Sequence, residues 1–151
     1  MFLKYEDLGS TMYGFQIHQI TEGNSDIVDI ALAAAEEEIR SYLTGNNRKE
    51  WLDGRIQYDV EAILSKTGLE RNQLIVKQGI TIAKYWLIDL SNADMIYEQA
   101  KERYDRSTEW LTKLANGELT LGTLPTLADT NDEGETKQAF SFGSRKKFNH
   151  E

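Results

Sequence analysis

Between Leu74 and Leu90 the chain carries Leu74, Ile75, Val76, Ile80, Ile82, Ala83, Tyr85, Trp86, Leu87, Ile88 and Leu90, which leaves almost no side of a helix polar. A helix that is apolar nearly all round has to be enclosed by others, so this stretch predicts the central element of a helical bundle. Asn72 can cap it by accepting from the first free backbone N–H groups. Gly79 lies inside it and predicts a close crossing, because the missing Cβ lets a neighbour approach the backbone. Ser91-Asn92-Ala93-Asp94 is a short connection rich in capping residues, so the next helix is expected to return antiparallel.

That next helix shows a narrower stripe. Tyr97, Ala100, Tyr104, Ser107, Leu111 and Leu114 recur at steps of three and four, one face of an α-helix. Lys101, Glu102, Asp105, Arg106 and Glu109 fall mostly on the other faces. Gly117 supplies a left-handed terminator and Pro125 prevents an early restart, so the helix should stop near Asn116. Leu119 to Pro125 alternates apolar with small or polar residues and predicts an extended arm leaving the bundle. A third long helix is expected after Ser25, read as its N-cap, with Asp26 and Asp29 near its positive end. Its stripe is Val28, Ala31, Leu32, Ala35, Ile39, Tyr42 and Leu43.

The remaining pieces are shorter. Phe2 to Met12 predicts an extended start and a short helix with Glu6 and Asp7 in its first turn, broken by Gly14. Phe15, Ile17 and Ile20 predict a second. From Thr44 to Asn72 the pattern is weak: Gly45-Asn46-Asn47 reads as a turn, and Tyr58, Val60, Ile63 and Leu64 as a short helix with Asp59 as cap. Lys49, Trp51 and Arg55 combine basic and aromatic character, as a base-stacking patch does. In so acidic a chain, core packing or a subunit contact is the better reading for Trp51.

The fold class is therefore mainly α: a small helical bundle of three longer helices plus short N-terminal helices, with an extended C-terminal arm. Residues 1-125 form the helical domain and 126-151 a polar C-terminal arm, either disordered or ordered on a partner. A formal net charge of -8 argues against broad adhesion to nucleic acid or anionic membrane. The opening residues lack the basic leader and apolar core of a secretory signal, and no apolar run reaches membrane-spanning length.

Catalytic chemistry finds little to stand on. There is no cysteine, and the histidines are His18 and His150 alone, so neither a thiolate metal site nor a histidine cluster is expected. Glu36, Glu37 and Glu38 point about 100° apart on a helix and cannot converge on one atom; a solvated face is the simpler reading. Asp129-Thr130-Asn131-Asp132-Glu133-Gly134 resembles the opening of a calcium loop, yet Phe140 fills the position that needs an acid, so it reads as a polar turn. No enzyme, cofactor or metal is expected. Assembly contacts are expected instead at Leu119, Leu121, Leu124, Phe140, Phe142, Arg145, Lys146 and Lys147, chosen as exposed and adhesive.

Tyr5-x-Asp7-Leu8, Ile39-Arg40-Ser41-Tyr42-Leu43, Arg71 to Lys77, Ile82 to Leu87, Arg103-Tyr104, Trp110-Leu111, and Leu114 to Gly122 follow one another in a distinctive order. Together these runs resemble a family of Mu-like phage and prophage head-region proteins of unknown function. Asn72-Gln73 stands where that family usually has a turn and a proline. The family is similar in turn to the helical head-to-tail adaptors of long-tailed phages. The resemblance implies a structural virion protein without catalysis, a connector that forms a ring, twelvefold by analogy with portal symmetry, between portal protein and a tail-side completion protein. DNA would pass through its channel without specific binding. The protein would sit at the head-to-tail junction of the virion, and in host cytoplasm before assembly. The alternative is a non-virion interaction module, a phage regulator or assembly chaperone.

Overall fold

The computed structural model describes residues 1–48, 53–91 and 97–127. The order is α1 (Tyr5–Leu8), α2 (Gly14–Ile20), α3 (Ser25–Asn46), α4 (Val60–Leu64), a 3₁₀ turn (Gly68–Glu70), α5 (Gln73–Leu90) and α6 (Tyr97–Ala115). Among the described residues there is no strand, and a single antiparallel bridge joins Tyr58 to Thr126. The three long helices pack pairwise on one another, the bundle that the apolar patterns predict.

α5 is the inner element. Asn72 caps it, its side chain accepting from Leu74 N–H at 3.0 Å and Ile75 N–H at 3.1 Å. Ile75, Ile82, Ala83, Leu87 and Ile88 are fully enclosed. Gly79 marks the close crossing: a Cβ there would stand 2.8 Å from both Leu3 methyl carbons and 3.0 Å from Ile39 Cδ1. The neighbours are thus α3 and the extended N-terminal segment, whose Phe2 and Leu3 are buried. α6 runs antiparallel to α5, since Tyr85 meets Tyr97 and Tyr104 at one end while Val76 and Trp110 border one cavity toward the other.

Three local expectations shift. Asn24, rather than Ser25, caps α3, its side chain accepting from Asp26 N–H at 3.1 Å. Gly14 opens α2 instead of only separating it from α1. The expected turn at Gly45-Asn46-Asn47 is helical through Asn46, because the two asparagines hold the following loop. The buried Asn46 amide donates to Ile56 O at 2.7 Å. Asn47 pairs with the Tyr58 backbone in both directions, accepting from its N–H at 2.8 Å and donating to its carbonyl at 2.5 Å. Helix continuation at Gly45 is the condition for placing both amides.

The N-terminus is fastened by charge as well as apolar contact. Arg71 reaches Asp7 with two N–H groups, at 2.6 and 2.9 Å, and Phe2 O at 2.8 Å. Both side chains are largely enclosed, and the guanidinium lies 5.8 Å from the Phe2 ring centre. Hydrogen bonds from Arg71 hold the Asp7 carboxyl below the ordinary carboxylate range, and the same contact raises Arg71.

Candidate assembly surface

α6 ends as expected, and the geometry after it decides where the arm goes. Gly117 takes φ 76°; its N–H donates to Leu114 O, and Glu118 N–H to Lys113 O, the paired bonds of a Schellman terminator. Arg55 closes the same end, donating to Ala115 O at 2.5 Å while bound to Asp53. That contact gives Arg55 a structural place; Lys49 and Trp51, its expected companions in a basic and aromatic patch, lie outside the described residues.

The arm does not leave the bundle over its described length. Leu124 is buried, and Leu119 and Leu121 pack against the core. Leu121 N–H donates to the hydroxyl of the buried Tyr58, Asp59 N–H to Pro125 O at 2.9 Å, and Leu127 N–H to Gln57 O at 3.0 Å. An extended segment needs partners for its backbone groups; residues 57–59 offer them beside an apolar seat. These leucines, expected exposed, fasten the arm instead. Phe140, Phe142, Arg145, Lys146, Lys147 and the calcium-loop-like run Asp129 to Gly134 lie outside the described residues.

The glutamate run on α3 diverges, as helix geometry requires, but is not a simple solvated face. Glu36 accepts from Phe2 N–H at 2.8 Å, and Glu37 pairs with Arg40. Glu38 accepts from Trp86 Nε1 at 3.0 Å and from the Tyr104 hydroxyl at 2.7 Å. Tyr104 stacks on Tyr85, ring centres 4.1 Å apart, and the Tyr85 and Tyr97 hydroxyls lie 3.4 Å apart. Burial, then the bond to Glu38, raises the Tyr104 phenol; the contact with Tyr97 pushes Tyr85 up to about 12. Both phenols therefore stay protonated at neutral pH. One carboxylate on α3 thus ties α5 to α6, a role signalled in sequence only by Trp and Tyr polar atoms that seek partners near apolar surface.

Along the α5–α6 seam the surface opens. One cavity of about 720 Å³ is bordered by Met12, Gln16, Lys84, Ser91, Gln99 and Arg103, and a second of about 590 Å³ by Val76, Lys77, Arg103 and Trp110 among others. Thr11 and Arg103 border both, so the two adjoin along the α5–α6 groove. Burial lowers the Lys84 ammonium, and Arg103 beside it acts in the same sense. Among the described residues neither cation has a carboxylate within ion-pair distance. Ser91 Oγ, on the groove wall, is a buried hydroxyl without a hydrogen-bond partner. No helix among the described residues is long and apolar enough to cross a membrane, and none of their acidic and histidine side chains gather into a metal-binding group.

The family profile described as Bacteriophage Mu, Gp36 matches residues 5–140. The chain belongs to that family. No curated protein and no solved structure matches it. Membership in the Mu Gp36 family makes this a phage protein, and the match runs through the helical body, the packed arm and on into the tail as far as Phe140. Two of the runs that carried the resemblance prove to be physically joined: Asp7 of the first holds Arg71 of the third.

Proposed function

We propose that this Mu Gp36 family protein is a structural component of the virion, a head-to-tail connector that forms a ring between portal and tail and extends the DNA channel. The single observation that carries the reading is the family match over residues 5–140. Glu36, Glu38, Arg71 and Asn47 are each committed to holding segments together. An acidic surface suits a channel through which DNA slides, since like charges prevent adhesion. In this reading Leu119, Leu121 and Leu124 fix where the arm leaves the bundle. Phe140, Phe142, Arg145, Lys146 and Lys147 then contact portal or tail-side proteins.

Mass spectrometry of purified particles tests it. The protein is expected at a stoichiometry comparable to portal. Abundance in infected cells with absence from particles would overturn the connector role in favour of a regulator or assembly chaperone. A chain truncated after Pro125 should keep its helical circular dichroism and fail to join heads to tails; normal joining would remove the tail from the mechanism.

A further inference from the structure

The groove between α5 and α6 has a counterpart on the far side of the same molecule. On α3, Asp26, Asp29, Ile30, Ala33 and Glu37 are all exposed and, at 100° per residue, occupy an arc of about 100°. This is an acidic ridge with an uncovered isoleucine, 55% exposed, along one edge. Neither Asp26 nor Asp29 has a cationic partner among the described residues. The groove is the inverse: Lys77, Lys84 and Arg103 stand over apolar side chains of Val76, Ile80 and Ala100. The lengths agree as well, for Asp26 to Glu37 and Gln99 to Trp110 are equal steps along a helix, about 16 Å each at 1.5 Å per residue.

We propose that the α5–α6 groove receives the α3 ridge of a second copy of this chain. The two surfaces are different patches of one subunit, so the contact is head-to-tail and propagates, closing into a ring when the rotation per subunit allows. Carboxylates of the incoming ridge supply the counter-charge that Lys84 and Arg103 lack among the described residues, and Ile30 enters over apolar side chains. Tyr13, which borders a small cavity sharing Thr11, Met12 and Gln16 with the groove, stacks on Phe15 at 5.7 Å. Both rings are more than two thirds exposed, and they form an aromatic rim of the kind that anchors interfaces. The inference rests on the ring part of the connector reading and specifies its interface.

The test uses the full chain and charge reversal, read by light-scattering mass across a concentration series. Lys84→Glu with Arg103→Glu, and separately Asp26→Lys with Asp29→Lys, should each weaken self-association by about tenfold or more, with unchanged circular dichroism. Mixing the two variants, or combining all four changes in one chain, should restore assembly, because each reversed groove again meets an opposite ridge; a merely misfolded variant would not recover. Wild-type-like assembly by both variants overturns this interface and leaves a ring built otherwise. A wild-type chain that stays monomeric at its solubility limit overturns both the interface and the self-assembling ring, whatever the particle composition shows. Binding of labelled single-stranded DNA that is lost on groove reversal, with mass unaffected, also overturns it, since the groove would then serve phosphates.

Discussion

The two sides of α5 differ sharply in how they are covered. Toward α3 and the N-terminal segment the helix presents Gly79 with Leu3 and Ile39 already at contact. Toward α6 it presents Lys77 and Lys84 over open cavities, with an unpartnered hydroxyl at the end of the seam. At Gly79 the first side leaves no room for a Cβ, and close packing of this kind is how a fold-determining contact is built. The second keeps the Ser91 hydroxyl without a partner and leaves open cavities along the seam. A helix apolar nearly all round therefore need not be sealed all round within its own chain; where its covering is incomplete, the remainder is available to another chain.

The largest effect should come from the closed side. Gly79→Leu forces a side chain into atoms at 2.8 Å and should cost about 3 kcal/mol by overpacking, measured by urea unfolding. A loss under about 1 kcal/mol would show that this seam is loose as well. Next comes the Arg71 and Asp7 pair that fastens the N-terminal segment there. Asp7→Asn should cost about 2 to 3 kcal/mol, since it leaves an enclosed guanidinium without its counter-charge. Because the Asp7 carboxyl is lowered from 3.8, its stabilisation is complete above that pH and disappears as pH falls through the lower folded value. The variant should accordingly show a shallower acid transition, followed by circular dichroism.

Smaller effects sharpen the contrast. Gly117→Ala places a Cβ at φ 76° and 3.2 Å from Arg55; a loss of about 1 to 2 kcal/mol is expected, with proteolysis of the arm as a second readout. On the open side, Lys84→Met should leave the monomer unchanged or up to about 1 kcal/mol more stable, since it removes a partly desolvated cation. The sign follows from the lowered ammonium: the folded state disfavours the proton, so wild-type stability rises as pH climbs from the folded toward the unfolded lysine value. Clear destabilisation by Lys84→Met would make the open side a folding element too.

Much of the bundle was legible because its signals are local and repeated. The apolar run of α5, its Asn72 cap, Gly79 as a crossing point, the α6 stripe and the Gly117 terminator depend on helical period and backbone chemistry within a few residues. The arm was misread as departing because its destination lies far along the chain. Nothing near Pro125 announces that its carbonyl will accept from Asp59, or that Tyr58 will bond Leu121. Glu38 was likewise hidden, since a carboxylate on a charged run looks solvated until Trp86 and Tyr104 are brought to it. The groove had no linear signature at all: Lys84 and Arg103 become neighbours only through the antiparallel return of α6.

Electron microscopy of the purified full-length oligomer, at a resolution that traces α3, α5 and α6, decides whether the ridge of one copy seats in the groove of the next. A closed ring is expected in which the Asp26 to Glu37 face of one copy covers the Lys84 and Arg103 groove of the next. A ring with that groove facing solvent, or an open filament, would contradict it.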